Sequence, residues 1–130
     1  MRTTVFDLDA EGTVVADVRD DPTFAALEAW EGGPLDRVRL HVIEVRGPTE
    51  LQLVEIAAGG SFVMHSSPKL AFCHIVRGRG VLGLPDGRDL AYWGPETYVF
   101  HPHTLHDWHD VAEDTLLAVA IVPDAEAVSR

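Results

Sequence analysis

Cysteine is nearly absent. Cys73 is the only one in 130 residues, so no disulfide can form within the chain, which fits a reducing compartment. Basic side chains are scarce as well: ten Lys and Arg stand against 21 Asp and Glu, a formal net charge of −11. So acidic a chain repels polyphosphates at long range, which argues against nucleic-acid partners; the plainer consequence of the charge is solubility. No apolar run approaches the ~20 residues that span a bilayer. The opening residues Met1 to Asp7 hold no apolar stretch of signal-peptide length. A cytoplasmic protein without a membrane partner is therefore expected. The phosphate-binding P-loop, the Gly-x-Gly-x-x-Gly dinucleotide fingerprint and the Gly-x-Ser-x-Gly elbow are all missing, which removes the common nucleotide and serine-hydrolase designs. No repeat, low-complexity segment or linker interrupts the chain.

Apolar residues make up 46% of the chain, enough for one core, and its length suits a single domain over 1–130. Alternating segments at 3–8 and 13–18 flank a Glu11-Gly12 turn and predict two strands. Asp21-Pro22 then reads as a helix start. Phe24, Leu27 and Trp30 follow at three-residue intervals before Gly32-Gly33, which predicts one short helix packed on the remainder. From Arg37 the pattern is β throughout: 37–46, 49–57, 70–76, 79–84, 89–93, 97–101, 106–111 and 115–122. Gly47-Pro48, Gly59-Gly60, Gly78-Arg79-Gly80 and the hairpin signal Pro85-Asp86-Gly87-Arg88 separate these runs. The tail beyond Pro123 is polar and expected to fray. Many short strands with one small helix predict an antiparallel sandwich or barrel enclosing a cavity, with its core at about 37–122.

Seven histidines occur, and four of them fall within nine residues: His101, His103, His106 and His109. Imidazole is the commonest side-chain ligand of first-row metals. On a strand, alternate residues share a face, so His106 and Trp108 point one way while Asp107 and His109 point the other. The four histidines cannot all hold one metal, and His109 is expected to face outward. His41 is read as structural or as a pocket wall. Trp108 should wall whatever cavity His106 lines, with Phe62, Cys73 and Phe100 as further candidate pocket residues; an aromatic wall suits a flat or apolar ligand. Cys73 reads as a buried, inert thiol. The face carried by Glu55 stays open; turned inward, it would offer a general base or a carboxylate ligand.

The spacing of these residues resembles the two motifs of the cupin superfamily, Gly-x5-His-x-His-x3–4-Glu-x6-Gly and Gly-x5-Pro-x-Gly-x2-His-x3-Asn. Gly59 stands six before His65, Ser67 falls at the second-histidine position, Ala71 at the glutamate and Gly78 at the closing glycine. The second motif begins at Gly94 with one extra residue, and His101, His103, His106 and Asp110 take the places of its proline, glycine, histidine and asparagine. The resemblance covers about 50–122. It implies a cupin-type jelly-roll barrel, a small organic ligand and, commonly among small cupins, a homodimer. Of the family's four ligand positions only His65 and His106 survive. A divalent metal (iron, zinc, nickel or manganese) then needs a third ligand, with His103 ranked first, then His101, then His74 and His41.

Three functions follow from the resemblance. In the first, His65, His106 and His103 hold a divalent metal, and the protein is a cyclase, isomerase, lyase or dioxygenase. In the second, no metal is bound, and His65 and His106 act as acid and base. In the third, the pocket binds a small molecule without catalysis. Fold alone does not choose among them.

Overall fold

The computed structural model describes residues 1–124; the end of the polar tail, at 125–130, lies outside them. Eleven strands follow in chain order: β1 Thr3–Leu8, β2 Val14–Arg19, β3 Ala25–Ala26, β4 Ala29–Trp30, β5 Gly33–Pro34, β6 Asp36–Arg46, β7 Thr49–His65, β8 Leu70–Gly83, β9 Asp89–Trp93, β10 Glu96–Phe100 and β11 His106–Val122. The main sheet runs β10-β8-β11-β7-β6-β3, with β9 added on β8, and its pairings are antiparallel. β1–β2 and β4–β5 are separate hairpins.

The expected helix over 22–30 does not form. Its backbone bonds to strands instead: Ala25 and Ala26 pair with Leu40 and Arg39, Leu27 N–H donates to the Val38 carbonyl, and Leu35 N–H donates to that of Glu28. A helix of two or three turns is marginal by itself, whereas the open edge of β6 offers ready partners. The three-residue apolar spacing has another origin. Phe24 packs with Ile43 and Leu53 outside the sheet, while Leu27 and Trp30 turn to the main core.

The glycine pairs read as strand ends lie inside long strands. β7 runs through Gly59-Gly60 and β8 through Gly78-Arg79-Gly80. Gly78 has φ +107, and a Cβ there would lie 2.6 Å from Thr115 Cα, so glycine lets β8 and β11 press together where their register shifts. β11 likewise continues across 112–114, with irregular pairing between Trp108 and Thr115. These irregularities bend the long strands β7, β8 and β11 around the core.

Alternation then sorts the side chains. Val38, Val54, Ile56, Cys73, Ile75 and Leu117 form the interior with Phe62, Phe100 and Trp108. Ile43, Leu53 and Leu116 form a smaller cluster on the outer face. Tyr92, fully buried, hydrogen-bonds to the Thr115 hydroxyl at 2.7 Å. Thr115 donates to the Glu113 carbonyl at 3.0 Å, so Tyr92 is the donor to Thr115.

Candidate functional site

The interior holds a cavity that opens to the surface. Phe62, His65, Cys73, Phe100, His106 and Trp108 all line it. β7 and β11 place the histidines opposite each other, since His65 pairs with His106. Their ring centroids lie 4.3 Å apart, and the His106 ring stacks on Phe100 at 3.7 Å with 7° between planes.

Each imidazole is fixed by the backbone of its own chain. His65 Nδ1 lies 2.7 Å from the Val63 carbonyl and His106 Nδ1 lies 3.2 Å from that of Thr104. A carbonyl only accepts, so both Nδ1 atoms carry the proton, and both Nε2 atoms present a lone pair. No other hydrogen bond engages either ring among the described residues. Burial first, and then the neighbouring His65, hold His106 down at about 4, against the raising effects of the Thr104 carbonyl and Asp107. Burial also lowers His65, opposed by the Val63 carbonyl, Glu31 and Asp107. Both rings are therefore neutral at neutral pH. A proton on one disfavours a proton on the other, so the pair takes up one at a time.

The other candidates lie elsewhere. His103, ranked first as third ligand, is exposed on left-handed backbone (φ +65) and is absent from the cavity lining; its N–H donates to the Ser67 carbonyl. His101 lines the cavity from an exposed position. His74 and His41 face outward, hydrogen-bonded to the Thr97 hydroxyl and the Thr23 carbonyl. Glu55 is also on the outer face, paired with Arg39 at 2.5 Å. His109 bonds Asp107 at 2.6 Å outside the cavity. Burial raises the Cys73 thiol to about 12, so it is not a ready nucleophile.

Ser67 and Ala71 line the cavity at the places where the cupin motif carries a histidine and a glutamate. The motif positions thus point inward without supplying donors. Among the described residues no group of three or more His, Cys, Asp or Glu side chains is placed to hold a metal ion. Zinc and iron sites commonly draw on at least three protein ligands. The donor set here does not fit such a metal, and the expected His65–His106–His103 set is not assembled.

Trp30 is the site residue that sequence reasoning missed as such. β4 and β5 form a tight hairpin through Glu31 and Gly32, both at positive φ (47° and 81°). Gly33 lies so close to Val63 that a Cβ would meet Cγ1 at 2.8 Å, which pins the hairpin to β7. Trp30 thereby joins the cavity lining, its ring 6.3 Å from His65 and 6.2 Å from Phe62. Its indole Nε1 is buried and has no hydrogen-bond partner among the described residues. The Glu-Gly-Gly run was the available signal, since two such residues joining short extended segments also suit a two-residue hairpin.

The chain matches no protein-family profile, and no curated protein is recognisably similar in sequence. Solved structures are similar. The cupin domain of Schizosaccharomyces pombe Cnp3 superposes with a TM-score of 0.70 at 10% identity, over 99% of this chain and 92% of that one. The polyketide cyclase RemF from Streptomyces resistomycificus gives 0.65 at 19% identity, over 79% and 75%. KdgF from Halomonas sp. gives 0.64 at 14% identity, over 82% and 92%. Read with the curled antiparallel sheet, the inward-facing motif positions and the interior cavity, these likenesses identify the fold as the cupin barrel.

Proposed function

We propose that this protein is a small-molecule enzyme of the cupin type that works by acid–base chemistry, moving a proton on a flat, largely apolar substrate as an isomerase or cyclase does. The observation that carries this reading is the His65–His106 pair: two neutral rings in an apolar cavity, each with a free Nε2 lone pair. His65, the less strongly lowered of the two, takes the proton through Nε2, and His106 accepts a hydrogen bond beside it. Phe62, Phe100 and Trp108 provide flat surfaces for the substrate. The polyketide cyclase among the fold neighbours lends support, being a barrel of this kind that transforms an organic molecule.

The test is proton exchange on a simple enolisable ketone. Incubated with 1-indanone in D₂O, the protein should accelerate deuterium uptake next to the carbonyl, with at least a tenfold loss in His65→Ala and His106→Ala, roughly the low end for removing a general base. Metal analysis of the tag-free protein should find well under one equivalent. About one equivalent of iron, zinc, nickel or manganese, lost in His65→Ala, would overturn the metal-free reading. Binding of 1-indanone without exchange would leave a non-catalytic binding barrel.

The proposal includes a homodimer. In β1–β2 the pairs Thr4–Val18, Phe6–Ala16 and Leu8–Val14 share one face. Phe6, Leu8, Val14 and Val18 there are 53–68% exposed. On the outer sheet face, Leu51, Ala120, Phe72 and Val99 pair in succession across four strands, and Leu51, Phe72 and Val99 are exposed. A second copy supplies both surfaces reciprocally, which closes a twofold dimer.

A further inference from the structure

We infer that the ligand of this cavity is a flat, apolar molecule bearing one carboxylate, which Lys69 receives at the cavity mouth together with Ser66, Ser67 and His101. The inference deepens the acid–base reading: it rests on that reading for the cavity as the substrate's seat, and adds the charge the substrate carries.

Charge is divided unevenly between surface and cavity. The chain carries 21 Asp and Glu, and among the described residues none of them lines the cavity. Lys69 is the sole lysine in the sequence, and it does line the cavity, with no arginine beside it there. A cavity that keeps out every carboxylate of so acidic a chain and takes in its one lysine is complementary to an anion. The charge is also available. Arg2, Arg19, Arg39, Arg79 and Arg88 are each paired with a carboxylate, whereas Lys69 forms no ion pair among the described residues. Its ammonium donates to the Pro48 carbonyl at 2.8 Å, which occupies one of three N–H bonds. Lys69 is half-buried; a lysine so placed lays its hydrocarbon stem along an apolar wall and keeps its ammonium at the water's edge.

The other polar groups stand with it. Ser66, Ser67 and Lys69 belong to the connection from β7 to β8, directly after His65, and His101 directly follows β10. The two connections are tied where the His103 N–H donates to the Ser67 carbonyl at 2.8 Å. The Ser67 hydroxyl accepts from the Lys69 backbone N–H at 3.1 Å, which leaves its own O–H to donate. This rim adjoins a wall of hydrocarbon and aromatic rings, Phe62, Phe100 and Trp108 among them. One end of a ligand therefore meets hydroxyls, an imidazole and an ammonium, while its body meets flat apolar surface. A single positive charge matches a singly charged carboxylate; a phosphate dianion draws on several cations or a run of backbone N–H groups.

The experiment compares 2-naphthoate with 2-naphthamide, which agree in size and shape and differ in charge. By calorimetry at pH 7, the wild-type protein should bind the carboxylate at least about tenfold more tightly than the amide. The net charge of −11 works against any anion, so this preference has to come from the site. Lys69→Met keeps a long, unbranched side chain and removes its charge. It should lower the carboxylate-to-amide ratio about tenfold with amide affinity retained, and Lys69→Arg should restore most of the ratio. In tag-free protein labelled with ¹³C-lysine, Lys69 gives the single Cε signal, which should shift with 2-naphthoate and not with 2-naphthamide. A wild-type ratio near one, a ratio unchanged by Lys69→Met, or a lysine signal indifferent to the carboxylate overturns the inference. The wild-type ratio and the lysine signal decide alone if Lys69→Met does not fold. Failure of both compounds to bind also overturns it. Deuterium exchange on 1-indanone without a carboxylate preference sinks this inference and leaves the acid–base reading standing; a Lys69-dependent preference without exchange does the reverse.

Discussion

His106 couples the site to stability through its proton. Its folded value of about 4 lies below the ordinary 6.5, chiefly through burial, so the fold favours the neutral ring. As pH falls below 6.5 the unfolded chain takes up that proton first. The associated stability is complete above about 6.5 and is lost as pH falls towards 4, on the order of 3 kcal/mol in all. His106→Gln should therefore show a flatter melting temperature between pH 7 and pH 4 than wild type, read by calorimetry; an equally steep fall would refute the buried neutral ring. His109 has the opposite sign. Its hydrogen bond to Asp107, first among the causes, raises it, so its contribution is present below 6.5 and fades as pH rises through its folded value. At 32% side-chain exposure that contribution is small. Sequence served well at this scale wherever alternation held. It put Trp108 beside His106 and turned His109 outward. It gave no purchase on His103, because a residue in a turn follows no alternation and its direction is set by the loop's own hydrogen bonds, here to Ser67.

Among the elements, the bulges carry most of the shape. Gly78 combines positive φ with backbone contact from the neighbouring strand, so Gly78→Ala should destabilise by about 3 kcal/mol or more through strain and overpacking together. Urea denaturation measures this, and a loss under 1 kcal/mol would mean that β8 and β11 can separate there without consequence. Gly78 was recognisable as a motif glycine, but not as an interior strand position. A glycine that ends a strand and one that bends it look alike in sequence, since both answer a need for unusual backbone or close approach. The 22–30 segment misled for a related reason. Three-residue apolar spacing arises from a helix, or from an extended chain that breaks and turns between two cores, as here with Phe24 outside and Leu27 and Trp30 inside. Only the free edge of β6, which local sequence does not display, decides between them.

For the whole molecule, the proposed homodimer would cover the apolar face of the β1–β2 hairpin, whose Phe6, Leu8, Val14 and Val18 are exposed. From the exposures of Phe6, Leu8, Val14 and Val18, each hairpin shows about 400 Å² of apolar surface. Two such strips with the two surfaces that cover them come to about 1,600 Å², the size of a specific interface. Light scattering should give twice the 14.2 kDa chain mass. The double variant Phe6→Asp, Val14→Asp should give a monomer whose barrel stays folded. A monomeric wild type, or a dimer indifferent to these changes, would contradict the expected role of the hairpin. The strands of this hairpin were legible from alternation, yet their isolation from the main sheet was not, because pairing partners distant in sequence leave no local trace.

The bonds from His65 to Val63 and from His106 to Thr104 bear on how this protein can change over generations. In many active sites a neighbouring side chain sets which ring nitrogen holds the proton, and replacing that neighbour silences the site. Here the setting is made by main-chain carbonyls two residues upstream, which every amino acid possesses. Substitutions around the pair can therefore reshape the cavity for new ligands while both rings stay in the same tautomer, so under the proposed acid–base function this barrel could drift in specificity without first losing its chemistry.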